Sequence, residues 1–288
     1  MASHSNTWRR LLVGALTLAS IVVPATRAGA ASERYVALGD SYTAAPLVPR
    51  QLVGAGGCFR SDHDYPHDVQ RALNVAAFAD VSCTGATTDN MWRHQGVLGG
   101  SNPAQFLALP ASTTLVTLGI GGNDIGFTTI LLHCLSLAPT GSPCHDRYVR
   151  NGNDQIAGAI TALAPKIAHV ISDIHVRAPH ARVFVVGYPA ILPDTGPGCW
   201  PSMPITSSDV VYLRSKERQL NNMLAAQAGA HNATFVNTYI PSIGHNACTS
   251  PTTRWVEPVV PAHAAAPVHP NANGEQAMAD LVRAAMGR

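Results

Sequence analysis

The chain has 288 residues, with 19 Lys and Arg against 17 Asp and Glu and a net charge of +2. So small a balance, with no Lys/Arg cluster after residue 30, leaves nucleic acid and anionic membrane surfaces unsupported as partners. The length and the 46% hydrophobic fraction suit one globular domain with a substantial core.

The first thirty residues are laid out as a secretory signal peptide. Trp8-Arg9-Arg10 supply a positive start, residues 11–23 are apolar, and Ala28-Gly29-Ala30 offer small residues for cleavage. The apolar run falls short of the roughly 20 residues needed to span a bilayer, and no later segment qualifies, so no stable membrane anchor is expected. Residues 1–30 are read as the signal peptide and 31–288 as a single exported domain, expected to be a secreted monomer.

Within that domain, residues 35–38, 76–81, 114–118, 182–186 and 234–236 are short apolar or β-branched runs, as buried parallel strands are. Helical patterns lie between them. Residues 65–73 open with Pro66 in the first turn. Residues 153–176 carry Ile156, Ile160, Leu163, Ile167, Val170, Ile171 and Ile174 at helical spacing, with Pro165 inside the run. Residues 207–230 begin Ser207-Ser208-Asp209, good capping chemistry, and residues 272–286 form a last helix. Strands alternating with helices predict right-handed crossovers and an α/β fold, a three-layer α/β/α sandwich with a central parallel sheet. Functional loops then gather at the carboxyl ends of the strands.

Six cysteines, Cys58, Cys83, Cys134, Cys144, Cys199 and Cys248, make an even set in an exported chain and favour three disulfides. Pairing neighbours in sequence closes three separate loops, Cys58–Cys83, Cys134–Cys144 and Cys199–Cys248; crossed pairs stay open. No pair has Cys-x-x-Cys spacing, so no metal is expected. Gly119-Ile120-Gly121 lacks the third spaced glycine of a dinucleotide fingerprint, and no cofactor is expected.

The strand ends carry the chemistry. Gly39-Asp40-Ser41-Tyr42-Thr43 follows the first, Ser82-Cys83-Thr84-Gly85-Ala86 the second, and Gly119-Ile120-Gly121-Gly122-Asn123-Asp124 the third. Just before the final helix stands Ala266-Pro267-Val268-His269-Pro270-Asn271. Alone, each is an ordinary turn or loop. Together a serine, a glycine-centred turn, an Asn in a glycine-rich loop and a late histidine are the parts that acyl transfer requires. Asp40 and Asp124 are expected to hydrogen-bond their own loops rather than to act as acid or base. No Gly-x-Ser-x-Gly occurs, which argues against an α/β-hydrolase nucleophile elbow.

In these four motifs, in their order and in the six-cysteine layout, the chain resembles the secreted GDSL-type, or SGNH, hydrolases, in particular the disulfide-bearing actinobacterial lipases and esterases. The resemblance implies a flavodoxin-like sandwich with Ser41 as nucleophile, His269 as base, and an oxyanion hole made of Ser41 N–H, Gly85 N–H and the Asn123 amide. It implies a secreted ester hydrolase acting on a small-molecule or lipid ester. One part departs from the pattern: many members carry an Asp three residues before the histidine, where this chain has Ala266. The group that orients His269 is then a backbone carbonyl in the segment from Ala266 to Pro267, or a carboxylate such as Glu257. Leu47-Val48, Ile130-Leu131-Leu132, Ile191-Leu192, Trp200, Met203 and Ile205 are candidates for an acyl groove. A carbohydrate acetyl esterase and a non-catalytic secreted binding protein are the alternatives.

Overall fold

The computed structural model describes residues 1–2 and 33–288; apart from Met1 and Ala2, the expected signal peptide lies outside them. In chain order the elements are β1 (Arg34–Gly39), α1 (Ser41–Ala44), α2 (Tyr65–Leu73), β2 (Ala77–Asp80), the short hairpin β3 (Gln95–Val97) with β4 (Gly100–Asn102), and β5 (Leu115–Gly119). There follow α3 (Phe127–Cys134), α4 (Pro143–Tyr148), a second small hairpin of β6 (Val149–Arg150) and β7 (Asn153–Asp154), α5 (Gln155–Arg177), β8 (Arg182–Val186), α6 (Ser207–Ala230), β9 (Thr234–Val236) and α7 (Ala272–Ala285).

The main sheet runs β2-β1-β5-β8-β9, all parallel. Taken over its five strands that is the order 2-1-3-4-5 of flavodoxin-like sheets. Both faces are covered, which is why these strands read as continuous apolar runs. Tyr35, Ala37, Leu115, Phe184, Val186 and Val236 pack on one side with Met278, Ala279 and Val282 of α7 and with Tyr65 and Val69 of α2. Val36, Leu38, Val116, Leu118, Val183 and Val185 pack on the other with the apolar stripe of α5 and with Leu220 and Leu224 of α6. The period-two alternation of a strand sends successive residues to opposite helical layers.

Capping residues set the helix starts. Asp64 accepts from His67 N ahead of α2, and Asp154 from Ala157 N ahead of α5. The helix expected from residue 153 therefore starts two residues later, because Asn153 and Asp154 pair with Val149 and Arg150. Ser207-Ser208-Asp209 does not cap α6. Thr206 does, through its hydroxyl and Asp209 N, while the buried Asp209 carboxylate receives the N–H groups of Cys144 and His145. An N-cap oxygen replaced by an apolar group costs about 1 kcal/mol.

The disulfides are Cys58–Cys83, Cys134–Cys144 and Cys199–Cys248. They close loops of 25, 10 and 49 residues, for which chain entropy gives about 3 to 4 kcal/mol each. Among the described residues no helix is long and apolar enough to cross a membrane.

Candidate active site

The site forms where the strand order reverses, between β1 and β5, whose last residues Gly39 and Gly119 are register partners. A Cβ on Gly39 would lie 2.2 Å from Thr43 Oγ1 and 2.7 Å from Gly119 O. Only glycine lets Thr43 fold back over the strand end, so residues 39–43 act as one steric unit. Buried Gln105 clamps Gly39 from the side, accepting from its N–H and donating to its carbonyl, both at 2.8 Å. Asp40 then caps α1: Oδ1 accepts from Tyr42 N at 2.9 Å.

The other carboxylate oxygen of Asp40 accepts from the Tyr188 hydroxyl at 2.6 Å, and that hydroxyl accepts from Gly122 N at 2.7 Å. A chain of hydrogen bonds thus ties the serine turn to the loop that carries Asn123. Burial pushes Asp40 up to about 7, against the lowering effect of the Tyr188 and Tyr42 donors. Asp40 bonds its own turn as expected, but Asp124 does not. It reaches across to the loop after β2, accepting from Thr88 N at 2.9 Å and Thr88 Oγ1 at 2.5 Å.

Ser41 Oγ lies 2.8 Å from His269 Nε2. The other ring nitrogen, Nδ1, is 2.8 Å from Pro267 O. A carbonyl only accepts, so Nδ1 carries the proton and Nε2 turns its lone pair toward the serine hydroxyl. The orienting carbonyl is that of Pro267. Ala266 takes no direct part in this, since its carbonyl accepts from the His269 backbone N–H at 3.2 Å. The Glu257 carboxylate is committed elsewhere, accepting from Asn271 Nδ2 at 2.7 Å, Ala262 N at 2.8 Å and His263 Nδ1 at 2.8 Å. Burial raises its pKa, but the donors, Asn271 foremost, outweigh that and hold it below the ordinary value. Burial also lowers the His269 pKa below 6.5, an effect only partly offset by the Pro267 carbonyl. The imidazole is therefore neutral at pH 7.

The histidine loop is held under strain. Val268 has φ +61°, a left-handed conformation that a β-branched residue adopts at a cost of about 1–3 kcal/mol. The Tyr42 hydroxyl donates to Val268 O at 2.6 Å, and the Tyr42 ring lies 4.9 Å from the imidazole. Tyr42 thus fixes both the backbone and the ring plane of His269.

Gly85 and Asn123 border the same spot. Cys83 N donates to Gly39 O at 3.1 Å, which pins the Gly85 loop to the end of β1, and Gly85 has φ +82°, open to glycine. Asn123 Nδ2 donates one hydrogen to Ala86 O at 2.8 Å, leaving the second available. The backbone N–H groups of Ser41 and Gly85 have no acceptor among the described residues. Three donors with spare capacity next to a serine–histidine pair can stabilise an oxyanion.

Beside Ser41 opens a pocket of about 820 Å³, its mouth included. Ile130 and Leu131 of α3, Ile191, Leu192, Met203 and Ile205 line it, as expected for an acyl groove. Leu47, Val48, Leu132 and Trp200 do not. Val48 packs with Ala45 and Ala265 in a separate small cluster, and the other three are exposed. Two disulfides brace the walls, one joining α3 to α4 and the other the loops after β8 and β9. The wall also carries Glu217, whose Oε1 accepts from Ile191 N at 3.0 Å. Gln105, Tyr188 and Glu217 escaped sequence reasoning. Tyr188 alone left a signal, standing directly after the Arg182–Val186 strand and Gly187.

Residues 37–277 match the GDSL-like lipase/acylhydrolase family. Lipase 2 of Streptomyces coelicolor is 39% identical over 263 residues, covering 88% of this chain and 85% of that protein. The crystal structure of phospholipase A1 from Streptomyces albidoflavus superposes with a TM-score of 0.74 at 26% identity, over 88% of this chain and 99% of that one. The extracellular lipase of Streptomyces rimosus gives 0.74 and 26% over 88% and 100%. The chain therefore belongs to the GDSL-like lipase/acylhydrolase family and is a carboxylic ester hydrolase.

Proposed function

We propose that the protein is a secreted lipase that hydrolyses lipid esters through a Ser41–His269 dyad, with no cofactor. The observation that carries this reading is the 2.8 Å contact between Ser41 Oγ and a neutral His269 Nε2 at the mouth of an apolar pocket. As Ser41 attacks the ester carbonyl, its proton passes to Nε2, and the imidazolium is stabilised by its Nδ1–H bond to Pro267 O. The carbonyl does the part of a carboxylate that matters most for geometry, keeping the correct tautomer; a wrong tautomer costs a triad about 10⁴ in kcat. The oxyanion forms against Ser41 N–H, Gly85 N–H and the Asn123 amide, each worth about 3 to 4 kcal/mol of barrier. Nε2 returns its proton to the leaving alcohol, and water, deprotonated by the same nitrogen, releases the acid.

The pocket wall is aliphatic from Ile130 and Leu131 to Ile191, Leu192, Met203 and Ile205, which favours a fatty acyl chain over an acetylated polysaccharide. Relatives named as lipases and a phospholipase A1 support lipid esters as the substrate class. Three disulfides suit an oxidising, extracellular address. The test is a series of p-nitrophenyl esters from acetyl to palmitoyl with Ser41→Ala as control. The reading requires kcat/KM to rise beyond acetyl and Ser41→Ala to be inactive; a steady fall from acetyl to octanoyl sinks the lipid assignment, and an active Ser41→Ala sinks the dyad.

A further inference from the structure

Glu217 is an acid in a place the hydrolytic chemistry does not use. It projects from α6 into the wall formed by Ile130, Ile191, Leu192 and Met203. The one hydrogen bond to its carboxyl is the donation from Ile191 N to Oε1, so the second carboxyl oxygen has no donor among the described residues. No cation bonds the carboxyl among the described residues, although Lys216 lines the same pocket and Arg218 acts on Glu217 through its charge. On the same helix Lys216 pairs with Asp154 at 2.6 Å, Arg218 with Asp194, and Arg214 donates to Pro193 O at 2.8 Å. Across the pocket the titratable neighbours are Tyr42 and Asp40 of the serine turn and Tyr188, and beyond α6 lies Tyr239; none of them is a cation.

We propose that Glu217 is a specificity-determining residue whose charge gates the acyl pocket: neutral, it admits an uncharged fatty acyl chain; ionised, it excludes that chain while acetyl esters still react. An uncharged carboxyl held by a backbone N–H is a tolerable wall for a hydrocarbon chain. A carboxylate in the same place must keep water around it, and the chain would strip that water away. Burial supports the neutral form, pushing Glu217 up to about 8 against the lowering effects of the Ile191 donor and Arg218. The proposal rests on the acyl-pocket reading above.

The experiment follows the ratio of kcat/KM for octanoyl and acetyl p-nitrophenyl esters from pH 6 to 10. Asp40 and His269 act on both substrates and cancel in the ratio. With Glu217 ionising near 8, about one molecule in eleven stays neutral at pH 9, so the ratio falls roughly tenfold there. Glu217→Gln keeps an acceptor for Ile191 N and holds the ratio level across the range; Glu217→Leu removes that acceptor yet also leaves the ratio level, because it carries no charge. A level ratio in the native enzyme, or an alkaline fall that persists in Glu217→Gln, overturns the gate. Failure of the dyad would show instead as hydrolysis surviving Ser41→Ala, with the ratio test unaffected.

Discussion

Replacing Tyr188 by Phe removes one oxygen and two hydrogen bonds from the link between Asp40 and Gly122. Gly122 N–H is left buried without an acceptor, at about 1–3 kcal/mol, and Asp40 loses a donor worth about 1.5–3 kcal/mol to a charged group. A total of roughly 3–5 kcal/mol corresponds to a fall in Tm of roughly 6–20 °C for a domain of this size. The serine turn and the Asn123 loop also lose their tie, and a small misplacement of either lowers kcat for the acetyl ester about 10- to 100-fold. The pH dependence separates this mechanism from simple loss of a hydroxyl. Asp40 lies at about 7 in the folded protein against an ordinary 3.8, so its neutral form is preferred on folding, and its contribution to stability is full below 3.8 and lost as the pH rises to about 7. Removing the Tyr188 donor raises the folded value further and extends the loss upward. The Tm deficit of Tyr188→Phe, measured by calorimetry, is then larger at pH 8.5 than at pH 5. Equal deficits at the two pH values, or an unchanged kcat, refute the reasoning.

Three further outcomes follow from the site. Burial lowers the His269 pKa from its ordinary value, so the acid limb of kcat/KM for the acetyl ester lies at lower pH than an ordinary histidine gives and falls about tenfold per unit beyond it; a stopped assay across pH 4–7 reads it. Glu257→Gln keeps kcat within a few-fold, because its carboxylate serves Asn271, His263 and Ala262, yet it lowers Tm; a loss of kcat by several orders of magnitude would return Glu257 to the catalytic group. Gly39→Ala drives a methyl group against Thr43 Oγ1 and Gly119 O, an overpacking of about 1–3 kcal/mol, and shows as a lower unfolding midpoint in urea together with lost activity.

Much of this was readable from local pattern. Runs such as Tyr-Val-Ala-Leu at 35–38 are apolar on both faces, and only a strand covered by two helical layers satisfies them. The stripe from Ile156 to Ile174 could bury itself only as a helix. Gly39, Ser41, Gly85 and Asn123 stand directly behind strands, and a parallel sheet brings all its strand ends to one side. Boundaries were less legible: Thr206 rather than Ser207 caps α6, because Asp209 is drawn away to the backbone of α4.

What the sequence determined by itself was the layering, the strand ends and the four motif positions, since these follow from spacing along one short segment. The partners were decided by tertiary structure. Ser41 and His269 are 228 residues apart, and Asp40 and Tyr188 148. Whether Pro267, Ala266 or Glu257 faced the imidazole turned on a strained Val268 and on donors that claim Glu257 first. The acid in the acyl pocket likewise had no local mark, because Glu217 sits among exposed polar residues of its own helix and becomes a pocket residue only where α6 crosses the loop of Ile191. Hydrogen-bond geometry is set within a few tenths of an ångström, and only the packed crossovers bring residues this distant to that precision.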